Sequence, residues 1–366
     1  MSGNNIAYRM IINGTTYNEK FLENHINSKL ESSLLPYEIS LYKFLKEWFG
    51  GGAEILLTTS GSTGKPKIIN VSKKDMIESA LRTIDFFGLK PHMSALLCLP
   101  CDYIAGKMMT VRAIVGQMNL ITVEPTGFPL KSINCPVDFA AFTPMQLLNE
   151  LKIKNNEKLN FLRKTIVGGA PVSKELAVLV QNQPFEVYET YGMTETCSHI
   201  ALKKMTGKNV QESFFPLKGI NISLDSNNCI VIERTDKDII KTHDVGEIFP
   251  DGSFVISGRI DNVINSGGIK IFPEKIEAII SEIIPQKIYV SSVPHHLLGE
   301  QVVLVADKPI NNIKFLFGEL EKYLTKYEMP AALYQIDAFP LNEWGKIRRK
   351  LIPHFILFHS ESDRLN

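Results

Sequence analysis

The sequence predicts an α/β protein. It should have a large N-terminal domain of layered α/β, a small β-barrel-like closing sheet, and a small C-terminal α+β domain. Three observations carry that prediction. Short apolar runs alternate with amphipathic stretches up to about residue 210, the pattern of buried strands sandwiched by helices. From there to about residue 258 the runs become short, β-like and separated by turns. Beyond Gly258-Arg259-Ile260-Asp261 a third texture begins, mixing helices and strands. A chain of 366 residues fits two or three domains, and the textures place the boundary between residues 1–260 and 261–366.

In order along the chain, Leu41, Phe44, Leu45, Trp48 and Phe49 recur at helical spacing, and Gly50-Gly51-Gly52 stops that lead-in helix. Strands are expected at Glu54–Leu57, Ala95–Leu99, Leu120–Val123, Phe139–Phe142 and Thr165–Val167, with helices at Lys73–Phe87 and Lys174–Gln181. Ile220–Leu224, Cys229–Glu233, Gly246–Phe249 and Ser253–Ser257 read as antiparallel strands, with turn signals at Asn227-Asn228 and Asp251-Gly252. The C-terminal part holds a helix at Pro273–Glu282 with proline near its start, strands at Lys287–Val293 and Gln301–Ala306, a helix at Ile313–Leu324 and a short strand at Tyr334–Asp337.

Composition excludes several functions. The net charge is +1, so nothing points to nucleic acid or to an anionic membrane. No apolar run reaches the ~18 residues of a membrane span, and the N-terminus lacks a signal pattern. Five scattered cysteines fit a reducing cytoplasm. Cys98 and Cys101 form a lone CxxC next to an apolar run, which reads as structural thiols rather than a zinc or redox site.

The densest chemistry lies in Thr58-Thr59-Ser60-Gly61-Ser62-Thr63-Gly64-Lys65-Pro66-Lys67. Hydroxyls donate hydrogen bonds, glycines let backbone N–H groups approach a ligand, and lysines supply charge. The spacing is not that of a P-loop, because Gly61 and Gly64 are only three positions apart. Four further segments follow. Val167-Gly168-Gly169-Ala170-Pro171 reads alone as a tight turn. Val187–Thr196 combines rings, hydroxyls and a carboxylate; an aromatic can stack on a base and Glu195 can hold magnesium. The same stretch is also an ordinary capped helix start. Thr242-His243-Asp244-Val245-Gly246 offers a carboxylate suited to ribose hydroxyls, or a solvated turn aspartate. Ser257–Pro273 and Gly345-Lys346-Ile347 complete the set.

These five motifs, TTSGSTGKPK, YGMTE, THDVGE, GRIDNVINSGGIKIFP and the Gly-Lys-Ile near the end, occur in an order that resembles the acyl-adenylate-forming superfamily. Within it the chain is most similar to short-form o-succinylbenzoate–CoA ligases of menaquinone biosynthesis, through Leu99–Met109 and Tyr188–Ala201. The resemblance implies an acid–thiol ligase using ATP, Mg2+ and coenzyme A, with a mobile C-terminal domain. It implies that Thr59, Ser60, Gly61, Ser62, Thr63, Gly64 and Lys67 grip phosphates. Gly168, Gly169, Ala170, Glu189, Thr190, Tyr191 and Gly192 would form the adenine slot. Thr194 would contact the α-phosphate, Glu195 the magnesium ion, and Asp244 the ribose, with Arg259 nearby. Lys346 would bridge the attacking carboxylate and the α-phosphate. Asp261 would be the hinge, and Gly267 and Gly268 would line the pantetheine tunnel. For a substrate with a second carboxylate, the candidates are Lys107, Arg112, Ser198 and His199.

The chain departs from that pattern in two ways. Its phosphate loop begins at residue 58, earlier than in most members, so part of the acid pocket's wall is expected from the lead-in helix or from a homodimer partner. His243 stands where the family has glycine. The rival readings are a ligase for another aryl or short acyl acid, an enzyme loading a carrier-protein thiol, and a non-catalytic nucleotide-binding protein.

Overall fold

The computed structural model describes residues 9–32, 34–59, 67–235, 239–341, 347–358 and 364–365. The described residues pack as two compact units, one running to Ile220 and one from Asn221 onward. The point expected for a swing, Asp261, therefore lies inside the second unit.

The first unit contains β1 (Arg9–Ile12), β2 (Thr15–Asn18), α1 (Glu19–Leu30), α2 (Pro36–Phe49), β3 (Glu54–Thr59), β4 (Lys67–Ser72), α3 (Lys73–Phe87), β5 (Ser94–Leu97), α4 (Ile104–Val115), β6 (Asn119–Thr122), β7 (Val137–Phe142), α5 (Pro144–Lys152), β8 (Leu162–Val167), α6 (Lys174–Gln181), β9 (Glu186–Gly192), β10 (His199–Lys204) and β11 (Phe215–Pro216). Nine of its strands form one sheet in the order β11-β10-β9-β8-β7-β5-β6-β1-β2. From β9 to β1 the pairings are parallel; the outer pairs β1–β2, β9–β10 and β10–β11 are antiparallel. The central strands are buried on both faces, so they read as continuous apolar runs rather than alternating ones. Leu96, Phe142, Val167 and Val187 from these strands pack with Leu147 of α5 and with Leu176 and Val180 of α6 in one core.

Local chemistry sets the helix ends. Ser72 accepts a hydrogen bond from Asp75 N and Gly88 closes α3 at φ +59°, so α3 spans the predicted residues 73–87. Pro36 starts α2 and Gly50 ends it. Residues 1 to about 50 read as a helical lead-in, which α1 and α2 fit and the hairpin β1–β2 does not; α4 carries too little amphipathic contrast to be seen in the sequence because it is buried nearly all round.

The second unit begins with an antiparallel sheet of β12 (Ile220–Leu224), β13 (Cys229–Arg234), β14 (Ile240–Ile248) and β15 (Phe254–Arg259), in sequence order. It continues with β16 (Ile264–Ser266), β17 (Ile269–Ile271), α7 (Pro273–Ile283), β18 (Ile288–His295), β19 (Gly299–Ala306), α8 (Ile313–Leu320), β20 (Leu333–Gln335), α9 (Ile352–Phe358) and β21 (Arg364–Leu365). Ile276 and Ile280 of α7, Val290 of β18, Leu304 of β19 and Leu316 and Leu320 of α8 form its core. No helix among the described residues is long and apolar enough to cross a membrane.

Candidate active site

Parallel strands bring their carboxyl ends to one edge of a sheet, and loops at that edge are where α/β folds bind ligands. β8 and β9 are parallel neighbours, Val167 opposite Glu189, so Gly168–Ala170 and the end of β9 lie side by side. Thr190 Oγ1 donates to Val167 O at 3.2 Å, and a Cβ on Gly168 would stand 2.0 Å from that hydroxyl. Glycine is required there by close approach. Within the expected adenine slot the Glu189 carboxylate is engaged with Lys203 at 2.6 Å, as the Thr190 hydroxyl is with Val167 O. The Tyr191 ring is buried, 6.0 Å from Phe214.

A short 3-10 turn, Thr194–Thr196, follows β9. Thr196 organises it by accepting from Met193 N at 2.9 Å and donating to Ser198 O at 2.6 Å. Glu195 projects from this turn exposed. Among the described residues no three acidic, histidine or cysteine side chains cluster as a metal cage. A single carboxylate fits magnesium, which takes one or two protein oxygens and completes its shell with phosphates and water.

β10 runs back antiparallel, with His199 opposite Gly192. The carbonyl of Ser198 would lie 2.3 Å from a Cβ on Gly192, and His199 Cα 2.6 Å. Both are backbone atoms and cannot rotate aside. Gly192→Ala should therefore destabilise the protein by about 2–3 kcal/mol in urea unfolding, as overpacking does.

Three of the four acid-site candidates come together here. Arg112 of α4 is 1% exposed. Its Nη2 donates to Ser198 Oγ at 2.6 Å and lies 3.4 Å from His199 Nδ1; its Nε donates to Thr83 Oγ1 at 3.2 Å. His199 Nε2 lies 3.2 Å from the same Thr83 hydroxyl, which donates to Ser79 O. A guanidinium only donates, so His199 Nδ1 is an acceptor and Nε2 carries the proton. Burial, then the charges of Arg112 and Arg82, hold His199 well below its usual value, so it is neutral. Burial alone pushes Arg112 down to about 9. Its partners among the described residues are Thr83, Ser198 and His199, none of them a carboxylate. Lys107 is not part of this network: its Nζ lies 3.7 Å from Glu47 and 4.9 Å from the Phe44 ring centroid, both on α2. That contact ties the lead-in helix to α4.

The His199 environment has a pH consequence. Its folded pKa lies below the unfolded value, so the unfolded chain binds more protons as pH falls below about 6.5. The stability it contributes is complete above that pH and is lost on acidification, at up to about 1.4 kcal/mol per pH unit. Between pH 7 and 5 the wild-type melting midpoint should fall more steeply than that of His199→Gln.

In the second unit, Asp244 and Arg259 face each other across β14 and β15, with Nη1 3.5 Å from Oδ1. Arg259 Nη2 also reaches Asp261 Oδ2 at 3.0 Å, and His243 Nδ1 reaches the same oxygen at 2.7 Å. Gly267 and Gly268 form the two-residue turn between β16 and β17, with φ of +60° and +83°. A hairpin turn of that kind demands glycine by itself, so the tunnel role remains a proposal. Cys98 and Cys101 are buried free thiols, both pushed up by burial, Cys101 to about 12, as structural cysteines are. Ser60, Gly61, Ser62, Thr63, Gly64 and Lys346 lie outside the described residues; Thr59 and Lys67 pair as the last rung of the β3–β4 hairpin that flanks the phosphate-loop motif.

Sequence reasoning missed Thr83 and Thr196. Both organise the site through contacts within a loop or across distant elements, and a threonine in a helix or turn carries no mark of that in the sequence.

A family model for AMP-binding enzymes matches residues 54–258. The chain belongs to the AMP-binding enzyme family. The structure of an acyl-CoA synthetase (AMP-forming)/AMP-acid ligase II-like protein from Dyadobacter fermentans is 34% identical to this AMP-binding enzyme. That match covers 91% of this chain and 96% of the other, with a TM-score of 0.61. An o-succinylbenzoate coenzyme A synthetase from Bacillus subtilis, solved with AMP, shares the fold with a TM-score of 0.72 at 23% identity, over 85% of this chain and 69% of that one. Among curated sequences, the 2-succinylbenzoate–CoA ligase of Staphylococcus epidermidis is 25% identical, over 88% of this chain and 73% of its own length. That of Haemophilus influenzae is 27% identical over 83% and 71%.

Proposed function

We propose that this AMP-binding enzyme is an ATP-dependent ligase that converts o-succinylbenzoate to its coenzyme A thioester through an acyl-adenylate, in the cytoplasm. The observation that carries the substrate is Arg112: a buried cation whose partners are two hydroxyls and a neutral histidine. An unpaired charge in the interior is costly. A substrate with a second carboxylate, held by Arg112 Nη2 and Ser198 Oγ, offsets that cost on binding. The names of the curated relatives support the same acid.

In the first half-reaction the reacting carboxylate attacks the α-phosphorus of ATP. A new O–P bond forms, the bond to the bridging oxygen breaks, and pyrophosphate leaves with the electron pair. In the second, coenzyme A attacks the acyl carbon as its thiolate, the thiol proton having gone to water; the C–S bond forms, the acyl C–O bond breaks, and AMP departs with the oxygen and the electron pair. Thr59, Ser60, Gly61, Ser62, Thr63, Gly64 and Lys67 hold the β- and γ-phosphates, Thr194 the α-phosphate, and Asp244 the ribose. Glu195 would hold a magnesium ion, which would supply charge neutralisation at the phosphates. Lys346 stabilises charge that builds on the α-phosphoryl oxygens, a contribution realised in the transition state. Asp261 is where the chain turns between the two half-reactions.

Acid-dependent exchange of labelled pyrophosphate into ATP tests the reading. Exchange that requires o-succinylbenzoate supports it; ATP binding with no exchange for any acid leaves a non-catalytic nucleotide-binding protein.

A further inference from the structure

We propose that His243 is a positioning residue that latches Asp261 and thereby sets the balance between the two half-reactions. The inference rests on the reading above, in which the chain turns at Asp261. That residue sits in a 3-10 turn, Ile260–Asn262, between β15 and β16. Its Oδ2 has two donors on two different strands: His243 Nδ1 from β14 at 2.7 Å and Arg259 Nη2 from β15 at 3.0 Å. A carboxylate only accepts, so the His243 Nδ1 carries the proton. Burial raises the Asp261 carboxyl, and the hydrogen bonds and charges of His243 and Arg259 more than offset it, leaving it below its usual value. The other face of the turn is tied too, because Asn262 Nδ2 donates to Glu274 Oε1 at 2.5 Å at the start of α7.

Rotation about φ at Asp261 swings its side chain relative to β14 and β15, which precede it in the chain, and carries the carboxylate away from them. The latch must therefore open whenever the turn rearranges. The His243 side chain is 59% exposed, and exposed pairs of this kind are weak. Weakness suits the role, since a strong bond would trap one arrangement and a small bias is enough to shift two nearly balanced ones. Arg259 is divided between Asp244 and Asp261, so His243 is the partner that serves Asp261 alone.

The test measures two single-turnover rates in the full chain at saturating ATP and o-succinylbenzoate: pyrophosphate release, and thioester formation from supplied acyl-adenylate. His243→Leu keeps the bulk and removes the donor; His243→Asn keeps an N–H near the position of Nδ1. The ratio of the two rates should change about fivefold in His243→Leu and stay within about twofold of wild type in His243→Asn. An unchanged ratio in His243→Leu, or equal shifts in both variants, overturns the latch. If the wild type itself releases no acid-dependent pyrophosphate, the parent reading has failed rather than the latch alone.

Discussion

Lys346→Ala lowers adenylate formation by about 10²–10³-fold, the loss typical of a removed charge-stabilising group, while thioester formation from supplied acyl-adenylate stays within about threefold of wild type. The asymmetry follows from where charge develops. In adenylation the α-phosphoryl oxygens gain negative charge as the carboxylate attacks, and an ammonium placed there stabilises that state more than the ground state. In thioester formation the charge develops at the acyl carbonyl instead. The described residues on either side of the segment 342–346 are anchored. Leu341 bridges to Ile347, Arg348 N donates to Pro340 O at 2.8 Å, and Arg349 forks onto Glu277 at 2.7 and 2.5 Å with its guanidinium 5.2 Å from the Tyr289 ring centroid. Separate single-turnover assays of the two half-reactions check the prediction. Equal losses in both would remove Lys346 from its assigned role.

Arg112→Gln lowers kcat/KM for o-succinylbenzoate by about 10²-fold, because the distal carboxylate then meets a neutral donor instead of a buried charge. The loss falls mainly in KM, since a group remote from the reacting carboxylate contributes equally to ground state and transition state. Benzoate, which has no second carboxylate, should be turned over by wild type and variant within about threefold of each other. Arg112→Lys should recover only part of the loss. Lysine keeps the charge but cannot reach Thr83 and Ser198 at once as the guanidinium fork does. Steady-state kinetics with both acids decide it; a parallel loss on benzoate would mean that the substitution has damaged the fold near β10.

Much of the fold was legible in the residues. The apolar runs Ala95–Leu97 in β5 and Phe139–Phe142 in β7 announce buried strands, Thr165–Val167 marks the buried half of β8, and Ser72 with Gly88 brackets α3 to the residue. The grouping of the β12–β15 sheet with the C-terminal strands was not legible, because it depends on packing between elements and not on any local pattern. Of the candidate acid site, Arg112, just beyond Leu99–Met109, and Ser198 and His199 of Tyr188–Ala201 do meet. Lys107, the fourth candidate, pairs elsewhere, with Glu47. The two side chains one turn and a half apart on α4 face different neighbours, a distinction that helical spacing shows only once the partners are known. Thr83, the hub of the same network, sits in an ordinary helical stretch of α3. His243 stood out in the sequence as a departure, but its function as a partner for Asp261 follows only from the pairing of β14 with β15 and the turn beyond it.

The measurement that tests the central claim most directly is acid-dependent AMP release with ATP, magnesium and coenzyme A across o-succinylbenzoate, benzoate, phenylacetate and short fatty acids. The account predicts release that strongly favours o-succinylbenzoate and loses that preference in Arg112→Gln. Release that favours a monocarboxylic acid, with the preference unchanged in the variant, would contradict the assigned substrate.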